Sequence, residues 1–334
     1  MKIDVHAHYV PEQFLAVDPD APELGEGVRI TDSTGEVLYR QRLQVVPGRE
    51  VQQGSFTGDM DKRFHDMDSR QVDVQMLSIS PQIFAYNLEP DVSVRVCRLL
   101  NDSFAATVAA HPTRFYALAH LPMRVPELAA SELERCVRDL GFKGAMICTN
   151  VNGANLDEKS LAPFYTKVAE LDVPVFLHPQ NILAADRLAK YHLINLIGNP
   201  TDTAVAAASL IFGGVLKEYP RLKFYLAHAG GTCPYIRGRW DHGWRVRPEA
   251  RANIDRLPSE YFKLLYFDSL AHSVPSLRFL IDQVGAERVM MGTDYDADMS
   301  DIDPVKTIAS VPGLTDRERD LIYGENAREL FKLG

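Results

Sequence analysis

From Asp61 onward, short apolar runs along the chain alternate with longer amphipathic stretches. Short apolar runs bounded by turn residues are typical of buried strands, whereas apolar positions with a 3.6-residue period are typical of helices. Together with one run at the N-terminus, this pattern predicts eight strands: Ile3–Val5, Gln75–Ile79, Phe115–His120, Gly144–Cys148, Pro174–Leu177, Lys223–Ala227, Leu265–Phe267 and Val289–Gly292. It predicts helices between them, among others over Ser93–Ala110, Val125–Leu140, Leu161–Leu171, Thr201–Lys217 and Ser276–Val284. Strands that alternate with helices in this way predict βαβ units and a parallel sheet.

Eight such units predict a sheet closed into a (β/α)₈ or TIM barrel, of the α/β class, rather than an open doubly wound sheet. An open sheet would normally carry a glycine-rich phosphate loop after its first strand, and the residues after Val5 contain none. About residues 11–60 break the regular pattern and are rich in Gly, Pro, Asp and Glu. We interpret them as a long insertion with room for a small hairpin, within a single distorted barrel domain of residues 1–334.

Charge and composition narrow the range of partners and compartments. A formal net charge of -9 argues against nucleic acids and anionic membrane surfaces, but not against a small carboxylated substrate held by local arginines. No run approaches the ~18 apolar residues of a membrane helix, and the N-terminus lacks the apolar core of a signal peptide. The four cysteines form no CxxC pair. We therefore expect reduced thiols in a cytoplasmic protein.

Polar residues with metal-binding chemistry follow several of the predicted strands. His6 and His8 follow the first strand, His178 follows the fifth and Asp294 follows the eighth. Residues two apart on a strand face the same side, and in TIM barrels the catalytic residues project from the C-terminal ends of the strands. Each of these residues taken alone could be a hydrogen-bonded structural residue. Together they predict one metal site at the barrel mouth.

Three imidazoles and one carboxylate are a ligand set that suits Zn²⁺ with a position left open for water or substrate. Mn²⁺ could occupy the same set of ligands. His228 follows the sixth strand, so we expect it beside the open position as a general base or acid.

Several motifs spread along the chain resemble the amidohydrolase superfamily, and within it the branch of 2-amino-3-carboxymuconate-6-semialdehyde decarboxylase. They are Met1–His8, Leu121–Met123, Glu134–Val137, Leu140–Phe142, Phe212–Val215, Gly238–Gly243, Arg247–Pro248 and Gly292–Tyr295, with His178 and His228. The resemblance implies a TIM barrel with one Zn²⁺ held by His6, His8, His178 and Asp294. It also implies that His228 activates water or protonates the substrate carbon, with Asp294 as its catalytic partner.

The resemblance also implies arginines that clamp the carboxylates of the substrate. Arg239 and Arg247 match two arginines that cross a homodimer interface in this branch, and Arg49 is the nearest match to a third. From the residues alone, ordinary surface or interface ion pairs are the favoured interpretation of Arg239 and Arg247, and such pairs contribute little to stability.

The chain departs from the branch where the semialdehyde decarboxylase has aromatic residues, because His192, Gln180 and Ala297 stand at those positions. The departures put the identical substrate in doubt and favour a different carboxylated ring or dienoic acid. His192 either binds a hydroxyl group of that substrate or is a solvated helix residue. Asn150 and His120, which end the fourth and third strands, either contact substrate or fix loops.

The leading functional hypothesis is a metal-dependent, oxygen-independent decarboxylase, a carbon–carbon lyase acting on an aromatic or muconate-type carboxylic acid. The alternative is a hydrolase or hydratase of the same superfamily that acts on a lactone, an amide or an unsaturated acid. Fold cannot separate these, since the chemistry depends on the site. A non-catalytic metal-binding protein is disfavoured, because closed structural zinc sites seldom lie at a barrel mouth.

Overall fold

The computed structural model describes residues 1–17, 26–42 and 59–334. Arg49 lies outside the described residues, as do the other residues of 18–25 and 43–58 within the predicted insertion. The strands are Ile3–Tyr9 (β1), Leu15–Val17 (β2), Glu26–Thr31 (β3), Val37–Arg42 (β4), Val74–Ile79 (β5), Phe115–His120 (β6), Gly144–Cys148 (β7), Pro174–His178 (β8), Lys223–Leu226 (β9), Tyr266–Asp268 (β10) and Val289–Met290 (β11). The α-helices are Met60–Ser69 (α1), Pro90–Ala110 (α2), Pro126–Arg138 (α3), Ala162–Leu171 (α4), Asn199–Phe212 (α5), Val215–Glu218 (α6), Cys233–Val246 (α7), Pro258–Phe262 (α8), Val274–Val284 (α9), Pro304–Ala309 (α10), Asp316–Asp320 (α11) and Asn326–Leu330 (α12).

Eight parallel strands form the barrel, in the order β1-β5-β6-β7-β8-β9-β10-β11. The last strand returns to the first: the amide of Val5 donates to the carbonyl of Met291 at 2.9 Å, and Ala7 forms a parallel bridge with Tyr295. These contacts close the sheet, and the predicted (β/α)₈ fold is confirmed. The eight predicted strands match the eight barrel strands in order and position.

The described part of the insertion contains a three-stranded antiparallel sheet, in the order β2-β3-β4, rather than only a small hairpin. Arg95 of α2 forms ion pairs with Asp32 and with Glu36, the latter at 3.0 Å. These bonds attach the turn between β3 and β4 to a helix of the barrel.

One predicted helix, Thr201–Lys217, is divided in the structure into α5 and α6. Gly214 lies between them with a φ of 83°, a left-handed conformation that glycine adopts without steric cost. The backbone therefore turns at Gly213–Gly214. The apolar periodicity of the sequence does not show this turn, because it continues from α5 into α6.

Aromatic side chains fill the barrel interior below the mouth. The rings of Phe176 and Tyr225 stack with centroids 4.3 Å apart, and the Tyr225 hydroxyl donates to the carbonyl of Val5 at 3.2 Å. Above them, the ring of Phe176 packs edge-on against the imidazole of His6 at 4.9 Å. The polar side chains at the mouth thus pack on their inner side against buried aromatic rings. Among the described helices, none is both long and apolar enough to cross a membrane.

Candidate metal centre

His6 and His8 lie on β1 with their rings turned into the barrel. The pairing of β1 with β5 shifts between Asp4 and Ala7, so that β1 contains one residue more than β5 over this stretch. The two Nε2 atoms approach within 3.2 Å of each other. Both imidazoles are almost fully buried and present the same ring nitrogen to one point.

Asp294 and His178 complete this group of side chains. One carboxylate oxygen of Asp294, Oδ1, lies 3.2 Å from Nε2 of His6 and 3.0 Å from Nε2 of His8. The Nε2 atom of His178 is buried and has no hydrogen-bond partner among the described residues. One ligand atom from each of the four residues lies within 4.8 Å of those of the other three.

This spacing fits a single cation. Ligands that each lie about 2.1 Å from a metal are separated from one another by roughly 3–4 Å. The unpartnered Nε2 of His178 fits the same interpretation, because a buried polar atom without a partner is costly unless a ligand satisfies it. The structure therefore brings together the four residues that the sequence predicts as ligands.

Hydrogen bonds from the other ring nitrogen fix each imidazole in place. Nδ1 of His6 lies 2.7 Å from Oδ2 of Asp268, and Nδ1 of His178 lies 3.0 Å from the carbonyl of Pro179. Nδ1 of His8 lies 3.1 Å from the carbonyl of Ile79. Since carbonyl and carboxylate oxygens accept, Nδ1 carries a proton in each ring, which leaves Nε2 as the nitrogen that faces the candidate metal position.

The electrostatics of the group also favour a cation. Burial lowers the pKa of His8 and of His178, so both imidazoles are neutral, the form that binds a metal. Burial alone would raise the pKa of Asp294, but the imidazoles around it, His6 first, hold it well below its ordinary value. Burial would lower the pKa of His6, yet Asp294 and Asp268 raise it to about 10. The carboxylates thus stabilise a positive charge at the centre of the group.

His228 stands at the open side of this group, directly after β9. Its Nε2 lies 3.5 Å from Oδ2 of Asp294, and its Nδ1 is buried without a partner among the described residues. The side chain is 15% exposed, more than that of any of the four candidate ligands. His228 and Asp294 both have a left-handed backbone, with φ of 55° and 59°, a conformation that non-glycine residues often adopt at functional sites.

Asp268, at the end of β10, connects two parts of the site. Oδ2 accepts from the His6 ring and from the amide of His228 at 2.9 Å, while Oδ1 accepts from the amides of Ala229 and Leu270 at 2.7 and 3.1 Å. Both carboxylate oxygens therefore have only N–H donors as neighbours. Hydrogen bonds from these donors, that of His6 first, keep the pKa of Asp268 low despite its burial.

We expect Asp268→Asn to weaken metal binding by roughly 10–100-fold, the usual effect of removing a group that orients a metal ligand. Its amide NH₂ would face N–H donors on one side, which leaves buried groups unsatisfied at a cost of about 1–3 kcal/mol in stability. Competition with a chelator measures the affinity, and thermal unfolding measures the stability. The exposed Asp61→Asn is the control, and an unchanged metal affinity in Asp268→Asn would contradict the assignment.

A buried hydrogen-bond network that the sequence did not indicate holds the backbone segments that carry the candidate ligands. Asp4 accepts from the amide of His6 at 3.1 Å, and from the amide and the hydroxyl of Thr293 at 3.0 and 2.7 Å. Arg63 of α1, which is 1% exposed, donates to the carbonyl of His8 at 2.7 Å and to Gln75 at 2.9 Å. The two segments that carry His6, His8 and Asp294 are thereby held together.

The predicted substrate-binding residues are placed differently. The Asn150 amide donates to the carbonyls of Gln180 and Asn181 at 2.9 and 3.2 Å, so it fixes the loop after β8. His192 is exposed in that same loop region. Arg239 on α7 and Arg247 just beyond it are exposed as well, and Arg247 pairs with Glu249. None of these four residues is among the described side chains that could hold the metal.

Comparisons with known proteins agree with this architecture. The chain is 34% identical to 2-amino-3-carboxymuconate-6-semialdehyde decarboxylase from Dictyostelium discoideum, over 100% of this chain and 92% of that protein. It is 34% identical to gamma-resorcylate decarboxylase from Polaromonas sp. strain JS666, over 82% of this chain and 87% of that protein.

A solved structure of dihydroxybenzoic acid decarboxylase from Polaromonas sp. JS666, with bound manganese and the inhibitor 2-nitroresorcinol, superposes with a TM-score of 0.80. It shares 29% sequence identity and covers 99% of this chain and 97% of that chain. The amidohydrolase family model matches residues 3–333. The chain therefore belongs to the amidohydrolase family.

Proposed function

We propose that this protein is a metal-dependent, oxygen-independent decarboxylase of a small aromatic or muconate-type carboxylic acid. The observation that carries the proposal is the buried group of three imidazoles and one carboxylate with His228 at its open side. Relatives that are named decarboxylases and align over most of the chain support the same chemistry. We further propose that residues 1–334 act as one domain, because β1 pairs with the segment after β11 to close the barrel.

The proposed ligands are His6, His8, His178 and Asp294, and the proposed metal is Zn²⁺ or Mn²⁺. Imidazole suits Zn²⁺, while manganese is bound in the related Polaromonas structure. A divalent cation here would supply electrostatic stabilisation of the negative charge that develops on the substrate as CO₂ leaves.

The side chains of the protein would supply the proton that replaces the lost carboxylate. When the bond to the carboxylate breaks, its electron pair stays on the substrate carbon and CO₂ departs. His228 would transfer a proton from Nε2 to that carbon, forming the C–H bond that replaces the lost C–C bond. Its partner Asp294, 3.5 Å away, orients the ring, and Asp268 fixes its backbone.

The exposed arginines support a proposal about assembly. Large apolar side chains are exposed at Tyr191, Ile194 and Ile197 of one segment and at Tyr235 of α7, with 82%, 45%, 51% and 85% of their surfaces accessible. Contiguous exposed apolar surface typically marks an interaction site. We propose that a second copy of the chain covers these side chains and that Arg239 and Arg247 serve the partner's site. Light scattering is expected to give the mass of a dimer or a higher homo-oligomer, and Tyr235→Glu to give that of a monomer.

Turnover of a panel of hydroxybenzoic and carboxymuconate-type acids tests the proposed reaction. Metal is removed with a chelator, Zn²⁺ or Mn²⁺ is restored, and CO₂ release is followed beside elemental analysis of the same sample. We expect CO₂ in proportion to bound metal from at least one acid. A metal-loaded protein that releases none, yet opens lactones or hydrates double bonds, would instead show the alternative hydrolase or hydratase.

A further inference from the structure

His120, the last residue of β6, is a buried histidine with no assigned function. Its side chain is 2% exposed, and neither ring nitrogen has a hydrogen-bond partner among the described residues. Buried polar groups are nearly always satisfied, and an unsatisfied one requires an explanation. Because burial lowers the pKa of His120 to about 3, the ring is neutral and has one N–H donor and one acceptor nitrogen.

The register of the barrel shows where this ring points. His120 pairs with Met146 on β7, and Met146 pairs with Phe176 on β8. Paired residues of neighbouring parallel strands lie on the same face of the sheet. Since the Phe176 ring packs against His6 inside the barrel, His120 also faces the interior at the mouth.

A second unpartnered group lies on the neighbouring strand. Leu77 pairs with Ala117, so Ser80 and His120, each three residues further on, are neighbours at the ends of β5 and β6. The buried hydroxyl oxygen of Ser80 also has no partner among the described residues. In the barrel order β1-β5-β6, Ser80 ends the strand beside the one that carries His6 and His8, and His120 ends the next strand.

An aromatic ring borders this part of the mouth. The centroid of Phe84 lies 5.6 Å from that of His120, and the two rings are tilted by 40°. Phe84 thus gives this part of the mouth an apolar wall, and His120 lies outside the group of candidate metal ligands. A carboxylate would be costly to bury here without a cation, whereas a neutral hydroxyl group can both donate and accept.

Resting on the proposed decarboxylase function, we propose that His120 and Ser80 form a polar subsite that binds a hydroxyl group of an aromatic acid substrate, whose ring lies against Phe84. The subsite therefore favours hydroxylated aromatic acids over muconate-type acids. His120 is a specificity-determining residue, and the substrate hydroxyl supplies a hydrogen bond to one of its unpartnered ring nitrogens.

Two probes that differ by one hydroxyl test the subsite on the metal-loaded full chain. In the wild type, we expect 2-nitroresorcinol to bind roughly tenfold more tightly than 2-nitrophenol, measured by calorimetry. His120→Leu is expected to remove this preference and Ser80→Ala to reduce it to about threefold. His65→Leu, on the exposed face of α1, is the control and should keep the wild-type preference.

Metal content and thermal stability separate a binding role from a structural one. His120→Leu should keep its full metal content, and its Tm should equal or exceed that of the wild type, because no existing hydrogen bond is lost. A lower metal content, or a preference for 2-nitroresorcinol that persists in both variants, would overturn the subsite. If the wild type releases CO₂ while the preference persists, only the subsite is wrong. If the preference disappears as expected but no acid is decarboxylated, the subsite stands and the proposed reaction fails.

Discussion

Replacing Asp294 with alanine is expected to abolish metal binding and activity together, with kcat falling at least about 1000-fold, roughly 4 kcal/mol in the barrier. Asp294 supplies the only carboxylate of the candidate ligand group among the described residues, and Oδ1 lies within 3.2 Å of both His6 and His8. Without it, three imidazoles would have to hold a divalent ion with no negatively charged ligand. The loss should therefore be electrostatic as well as geometric.

Two further variants separate these causes. Asp294→Asn keeps the shape of the side chain but removes the charge, so it should also lose most of the metal. His178→Ala removes the Nε2 atom that has no other partner and should show the same joint loss. Elemental analysis and CO₂ release are measured on each variant, with Asp61→Ala as the surface control. Full metal occupancy in Asp294→Ala would contradict the ligand assignment.

Replacing His228 with asparagine is expected to keep the metal but to lower kcat by roughly 10²–10⁴-fold, the usual contribution of a proton-transfer residue. His228 is not part of the four-residue ligand group, and only its backbone amide bonds to Asp268. Asparagine is chosen because it tolerates the left-handed backbone of this position better than most residues. The substituted side chain cannot pass a proton near neutral pH.

The expected pattern for His228→Asn is a low kcat with a KM within a few-fold of the wild type. Measuring metal content on the same samples is decisive here. A His228→Asn protein that is free of metal would show that His228 acts as a ligand rather than as the group that moves the proton.

The ligand group could be predicted from the sequence because its determinants are local. The two-residue spacing of His6 and His8 puts both side chains on one face of a strand, and His178 and Asp294 follow apolar runs at strand ends. The TIM barrel then brings all strand ends to one mouth. No distance had to be known for this inference.

The supporting network could not be predicted, because its members are far apart in the sequence and chemically ordinary. Arg63 lies on a helix where a solvated arginine is the usual expectation, and Asp4 looks like an ordinary polar residue within the first predicted strand. Asp4 pairs with Gln75 of β5, whose side-chain amide donates to it at 3.2 Å, just before the extra residue in β1 shifts the register. A shift in register of this kind cannot be detected in the pattern of apolar and polar residues.

The substrate contacts were hard to predict for a related reason. Asn150 lies at a strand end, as a substrate-binding residue would, yet its hydrogen bonds are taken up by the loop after β8. His120 lies at a strand end as well, and only the three-dimensional structure shows that its ring nitrogens are unpartnered. Position along a strand does not distinguish the two cases.

The closing pair of β1 with the segment around Tyr295 has a consequence for how the protein matures. His6 and His8 belong to the first strand to be synthesised, and Asp294 follows the last barrel strand. Contacts between residues so distant in sequence form late, because a long segment of chain must be ordered before they can be made. We therefore expect a nascent chain to acquire its metal only when the barrel is complete. Metal uptake would then stabilise the finished fold selectively, since the unfolded chain lacks the assembled site.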